Sequence, residues 1–511
     1  MDDLTKQDAL ELEVANFGPI VEAKIDLRPL TVFVGPSNTG KSYLATLIYA
    51  LHMYFTDRSP SSRFFLNYEA LMGARNRIVD RETIDAIRTF LEQVSTAAGE
   101  PLGERTLILP APIVDAIRLV FEVEADQLHN EIGRCFGIDK TSALIRRGHR
   151  NCARIALRKH FSNDSATFEH ELTLKSQRVK FGTTMSSEKS VSINVRDRVE
   201  SIEYYERVID MLSKADRVGQ DWSRPALGLL HHLLSLALPQ LVGSLYRAAF
   251  YLPADRTGVM HSHQAVVSAL VQHATTAGLR PNADIPMLSG VIADFLQQLI
   301  LVPPSANRQP NLGDDLGTQI EETILGGRVR VDRSEMIGYP HFTYQPEGWK
   351  NALPLMNASS MVSELAPVVL YLRYMVSPDN VLIIEEPESH LHPAMQVEFT
   401  RQIAALVNAG VRLVVTTHSE WVLEELANIV QRSKLPKARR KKIPQGDFAL
   451  RSDQVGAWLF KQKLRPKGSV VEEVKLDAET GLYPTDYDAV SAALYNESVS
   501  ILNRIEDSDA E

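Results

Sequence analysis

Three short apolar runs set the frame of this chain. Leu30–Val34 reads LTVFV, Val381–Ile384 reads VLII, and Val411–Thr417 reads VRLVVTT. Each is too short for a buried helix and stops at polar or glycine-rich residues, so each predicts a buried strand. After the first run, Leu44, Leu47, Ile48 and Leu51 recur at helical spacing. After the second, Pro393 opens an amphipathic helix that runs to a glycine at 410. ETIDAIRTFLEQV and APIVDAIRLVFEVEADQL also carry helical periodicity. Strict alternation marks strands at Phe168, His170, Leu172 and Leu174, and at Val191, Ile193 and Val195. GGRVRVDRSEMIGYPHFTYQPEGWKNALPL reads as β-rich, and VGAWLFKQKLRPKGSVVEEVKL as a terminal hairpin. No fixed-period repeat and no long heptad run is present. The pattern predicts an α/β protein with a mixed sheet, split by a mainly helical insertion. Residues 1–54 and 246–500 form the expected split α/β part, 55–245 the insertion with a small β segment, and 501–511 an acidic tail.

The strand ending at Val34 runs into Gly35-Pro36-Ser37-Asn38-Thr39-Gly40-Lys41-Ser42, and a helix follows. Strand, glycine-rich loop and helix is the context that makes G-x-x-x-x-G-K-[ST] a phosphate cradle. Loop N–H groups and the positive end of the helix dipole converge on one point. Lys41 is expected to reach the β- and γ-phosphates of ATP and Ser42 to bind Mg2+. The VLII strand ends in Glu385 and Glu386, two adjacent acids at the edge where α/β sheets hold ligands. Glu385 suits the Mg2+ side and Glu386 the polarisation of an attacking water. His418 lies just beyond the third strand and is expected to sense a γ-phosphate through a hydrogen bond.

Composition narrows the setting. The 511 residues are 44% hydrophobic and 23% charged, with a formal net charge of −9. These are values of an ordinary globular chain, not of a general nucleic-acid coat. Two cysteines, Cys135 and Cys152, give no disulfide framework. The pairs His231-His232 and His261-Ser262-His263 lack a third zinc ligand. No apolar run reaches the ~20 residues of a bilayer crossing, and no secretion signal precedes the first strand. The expectation is a cytoplasmic protein without a membrane partner.

Together, the P-loop, EEPESHLHP, and a strand closing in TTHS resemble the ABC-type ATPase heads of the SMC, RecF and OLD group. The likeness is greatest to OLD-like ATPases of prokaryotic anti-phage defence operons. Asn16, Phe17 and Gly18, ahead of the P-loop strand, fit that group as well. The resemblance implies a further element, a helix whose N-terminal serine meets the γ-phosphate held by another subunit. Ser359 and Ser360, in LMNASSMVSELAPVVLYLRYM, match it, although Met361 stands where the group usually has glycine. FYLPADRTGV resembles the group's strand ending in Asp-Arg, which brings Asp255 and Arg256 near the site without assigning them roles. A homodimer or higher oligomer and a separate effector, such as a nuclease or toxin, are the implied partners. Asp486 and Asp488 echo a Toprim pattern, but the chain after His418 is too short for that unit, so they read as turn and helix-start residues.

Two basic stretches raise nucleic acid as a partner. Arg147, Arg150, Arg154 and Arg158 are spaced for one helical face, and seven of eleven residues from Arg432 to Lys442 are Lys or Arg. Three functions follow. The first is a dimeric, slowly hydrolysing ATPase switch of a defence system. The others are a DNA-clamping repair ATPase and an ATP-bound scaffold that sequesters a toxin.

Overall fold

The computed structural model describes residues 10–56, 73–74, 77–97, 105–123, 125–146, 152–160, 167–175, 179–185, 192–195, 230, 242–276, 288–303, 312–333, 340–443, 445–465, 467–474 and 485–509. The chain divides into two compact units. The first holds Met1–Leu27, Tyr43–Ala249 and Met287–Val291; the second holds Arg28–Ser42, Phe250–Pro286 and Ile292–Glu511.

The elements that matter, in chain order, are these. β1 (Leu10–Phe17) and β2 (Ile20–Asp26) form a hairpin, β3 (Leu30–Val34) enters the P-loop, and α1 (Lys41–Phe55) leaves it. β4 (Cys152–His160), β5 (Thr167–Lys175) and β6 (Val179–Met185) follow one another. β7 (Ala249–Leu252) leads to α2 (Arg256–Thr276), and β8 (Gly327–Arg333) pairs with β9 (Pro340–Pro346). Then come α3 (Ser360–Tyr374), β10 (Val381–Glu385), α4 (Pro393–Asn408), β11 (Arg412–Thr417) and α5 (Glu420–Ser433). The hairpin β12 (Val455–Leu464) and β13 (Lys467–Glu473) precedes a terminal helix, α6 (Thr485–Asp509).

In the first unit the strands lie in the order β6-β5-β4-β1-β2, all antiparallel. The turn between β1 and β2 explains the Asn16-Phe17-Gly18 motif. Gly18 has φ +52°, and a Cβ there would stand 2.5 Å from the Tyr43 ring. Tyr43, Phe17 and Phe136 pack edge to face or tilted, with ring centroids 5.4–6.3 Å apart.

β4 corrects the helical reading of Arg154 and Arg158. A spacing of four fits one helical turn, but it also fits two strand repeats. Ala153, Ile155 and Leu157 alternate with the arginines and are buried, and that decides for a strand. The arginines lie among the carboxylates of the flanking strands: Arg158 pairs with Glu11 (3.2 Å), Glu169 (3.0 Å) and Glu13, and Arg154 with Glu171 (3.0 Å). Their charge is answered by these carboxylates on the sheet face and is not held out for a phosphate backbone. Arg147, Arg150 and the pair His231-His232 lie outside the described residues.

In the second unit the order is β13-β12-β3-β11-β10-β7. The pairs β12–β3, β3–β11 and β11–β10 are parallel, and β13 closes one edge antiparallel to β12. β3 and β10 are buried along their whole length, as uniformly apolar parallel strands require. Their C-terminal ends carry the P-loop and the twin acids side by side with Thr417. α3, α4 and α5 cover the sheet with a continuous apolar core. The mixed α/β architecture expected from the sequence is present. Asp486 and Asp488 fall in the first turn of α6. Among the described residues no helix is long and apolar enough to cross a membrane.

Candidate nucleotide site

Gly35 is the first residue of the loop and has φ +138°. A Cβ there would stand 2.7 Å from the Phe460 carbonyl on β12, so the turn needs glycine for both conformation and space. Pro36, Ser37 and Asn38 are exposed, whereas Thr39, Gly40 and Lys41 are buried. Thr39 braces the loop by donating its hydroxyl to the Pro36 carbonyl (2.8 Å). Lys41 Nζ donates to the carbonyls of Gly35 (2.8 Å) and Pro36 (2.9 Å). Burial lowers the Lys41 pKa to about 8, against the opposing pull of Glu386, Glu388 and Glu385. Three carboxylates and one lysine therefore share a single electrostatic environment.

The two adjacent acids divide sharply. Glu385 ends β10 with its side chain buried, and burial raises its pKa. Its Oε2 accepts the Ala254 N–H at 3.2 Å, and the Ser42 and Tyr251 hydroxyls interact with the same carboxylate. Oε1 is buried without a well-aligned donor among the described residues. Glu386 is the first residue past the strand and stands at φ +42°, in the left-handed region that few non-glycine residues enter. Its N–H is held by the Thr416 carbonyl (2.9 Å). The twist turns its side chain out, half-exposed, to meet His418 Nε2 at 3.3 Å. That hydrogen bond is the main cause of its lowered pKa.

Ser42, Glu385, Glu386 and His418 are thus brought together with Lys41. A Mg2+ ion commonly takes one or two carboxylates and completes its shell with phosphate oxygens and water. The Ser42–Glu385 pair, with one buried carboxylate oxygen lacking an aligned donor, fits that demand. No group of three or more His, Cys, Asp or Glu residues among the described residues could hold a metal alone.

Ser359 and Ser360 sit elsewhere in the unit. Ser359 is the N-cap of α3, its hydroxyl accepting the Val362 N–H at 3.4 Å, and Ser360 is the first helical residue. Both are exposed, and neither hydroxyl hydrogen-bonds to the P-loop, the twin acids or His418. Ser419, next to His418, is also a helix cap, accepting the Val422 N–H at 3.2 Å.

The sequence left two residues without roles. Glu388 is the third acid of EEPESHLHP. Its Oε1 accepts the Thr417 hydroxyl (2.7 Å) and the His418 N–H (2.6 Å), which fixes the backbone from which His418 reaches Glu386. Arg256 is wholly buried and pairs with Glu364 of α3 at 2.5 Å. It also donates to the main-chain carbonyls of Glu385 and Glu386. The Asp-Arg pair flagged in the sequence is therefore unequal: Asp255 is exposed and Arg256 is an internal fastener.

Comparison with known proteins agrees with this geometry in part. Residues 305–423 match the AAA ATPase domain family, a stretch that contains α3, the twin acids and His418. No curated protein matches the sequence. Among solved structures, the SMC head domain from Thermotoga maritima is similar at 10% identity and TM-score 0.35, covering 91% of this chain and 99% of that one. An Smc head bound to the C-terminal winged-helix domain of ScpA gives 11% identity and TM-score 0.37, covering 92% and 98%. An Smc head with an extended coiled coil, bound to a ScpA domain derived from Pyrococcus furiosus, gives 10% and 0.36, covering 98% and 99%. With the P-loop geometry, the matched domain supports an ATP-binding ATPase.

Proposed function

We propose that this chain binds ATP at residues 35–42 and hydrolyses it slowly, as the switch component of an anti-phage defence system with a separate effector. The observation that carries the reading is the convergence of Lys41, Ser42, Glu385, Glu386 and His418 in one unit. Water attacks the γ-phosphorus and the bond to the β–γ bridging oxygen breaks, leaving ADP and phosphate. Glu386, half-exposed and kept ionised by His418, orients the water by accepting its proton in a hydrogen bond. Lys41 places positive charge against the transferring phosphoryl oxygens. Ser42 and Glu385 would hold Mg2+, which when bound neutralises phosphate charge. Purified Glu386→Gln should bind ATP and not turn it over; unchanged turnover would remove Glu386 from this role.

The exposed Ser360 at the start of α3, with its hydroxyl making no hydrogen bond among the described residues, supports closure of the site by a second subunit. The resemblance of EEPESHLHP and TTHS to OLD-like ATPases supports the defence setting. Exposed Leu494, Tyr495, Ile501 and Leu502 on α6 support a protein partner. A second reading, a DNA-contacting ATPase, is favoured by one feature. Lys434, Lys437, Arg439, Lys441 and Lys442 are exposed on the connection from α5 to β12. Steep loss of duplex affinity with salt would support it.

A further inference from the structure

Arg256 reaches three separate segments through four hydrogen bonds and one ion pair. Nε donates to the Glu364 carbonyl (3.1 Å), and Nη1 donates to the carbonyls of Pro253 (3.0 Å) and Glu385 (2.5 Å). Nη2 donates to the Glu386 carbonyl (3.3 Å) and pairs with Glu364 Oε1 (2.5 Å). A guanidinium presents its N–H groups in a rigid fork; here four hydrogen bonds reach main-chain carbonyls, and the ion pair adds the Glu364 carboxylate. Glu364 is buried beside it and also accepts the Thr257 hydroxyl. One turn along α2, His261 Nε2 hydrogen-bonds with Ser363 Oγ at 3.0 Å. The first turns of α2 thus grip the first turns of α3.

Stability alone is a poor account of this arrangement. Replacing a buried ion pair with a well-packed apolar pair is often neutral or stabilising. What an apolar pair cannot do is hold the carbonyls of Glu385 and Glu386, between which the chain enters the left-handed turn that aims Glu386 at His418. At the other end, Glu364 is four residues from Ser360 and so lies on the same face of α3. Whatever engages the α3 N-terminus bears on Glu364 along one rigid turn.

We propose that Arg256 is a positioning residue for ATP hydrolysis, and that its pairing with Glu364 transmits engagement of the α3 N-terminus to the Glu385–Glu386 turn. This rests on the ATPase reading above. It predicts that the strut can be removed with fold and nucleotide binding kept, while turnover is lost.

The test uses the full chain carrying Arg256→Met with Glu364→Leu, and separately Glu364→Gln, which keeps the shape of the side chain if the double variant does not fold. The readouts are kcat, KM, affinity for a fluorescent ATP analogue, and amide hydrogen exchange in a peptide covering 385–391. In the double variant kcat should fall at least about thirtyfold with KM and affinity unchanged, and in Glu364→Gln about tenfold. Exchange in the turn should quicken in both. Arg256→Lys, which keeps charge but loses the fork, should not rescue kcat. A folded double variant or Glu364→Gln with wild-type kcat would overturn the proposal. If the wild-type chain hydrolyses no ATP, the ATPase reading fails. Exchange still decides the strut in that case, because wild-type rates in the variants would overturn it.

Discussion

Arginines meet glutamates in both units, to opposite effect. On β4, Arg154 and Arg158 lie on the sheet face among Glu11, Glu13, Glu169 and Glu171, with side chains 18–42% exposed. Beneath the twin acids, Arg256 and Glu364 are 0% and 1% exposed. Water shares the first set of charges, so each pair is worth little and the loss of one leaves its neighbours solvated. Nothing but protein answers the second set, so losing one partner strands a charge in the interior. The sheet-face cluster is a cancelled surface, whereas the buried pair connects α3 to the Glu385–Glu386 turn. Burial, and not residue type, makes the difference.

The comparison can be broken in order of expected size. The largest effect should come from the charge that the buried cluster aims. Glu386→Gln should lower kcat about 10²–10⁴-fold with ATP still bound, as loss of a group that orients the attacking water implies. A coupled phosphate-release assay beside a nucleotide-binding assay measures it. Next, Arg256→Ala alone should cost about 3–5 kcal/mol of stability by urea unfolding, whereas Arg158→Ala should cost about 1 kcal/mol or less. Equal costs would erase the distinction drawn here. Smaller again is a pH effect in the first unit. His170 is fully buried against Phe55 and Phe121, and burial lowers its pKa to about 3. The unfolded chain therefore binds a proton that the fold refuses. Stability is whole above the ordinary histidine pKa and declines as pH falls from there toward that lowered value. His170→Phe should flatten this part of the pH–stability curve. Smallest is nucleic-acid binding: charge reversal at Arg439 and Arg440 should weaken any salt-sensitive duplex affinity, whereas reversal at Arg154 and Arg158 should leave it unchanged.

The sequence made some of this legible, for physical reasons. The P-loop, the VLII strand with its two acids and the strand before His418 are local patterns, in which a few adjacent residues carry both conformation and chemistry. β4 was misread because a four-residue spacing serves helix and strand alike, and only the burial of the residues between settles it. Glu388 lay in plain view but is defined by hydrogen bonds to Thr417 and His418, about thirty residues on. Arg256 could be flagged but not explained, since its partners, Glu364 and the Glu385–Glu386 carbonyls, lie more than a hundred residues away. Pairings across such distances leave no periodic trace.

The lysine of the loop carries a consequence for how the protein senses its solution. Lys41 rests on the Gly35 and Pro36 carbonyls, with a pKa near the pH of ordinary buffers because it is buried. A triphosphate arriving in the same place brings anionic charge that stabilises the ammonium form. The neutral fraction of the chains would then take up protons on loading. Nucleotide capture at this loop would then be a proton-linked equilibrium, with apparent affinity expected to fall as pH rises through the lysine's own pKa. Titration calorimetry in buffers of different ionisation heat would read that proton count directly, in a chain that need not turn over at all.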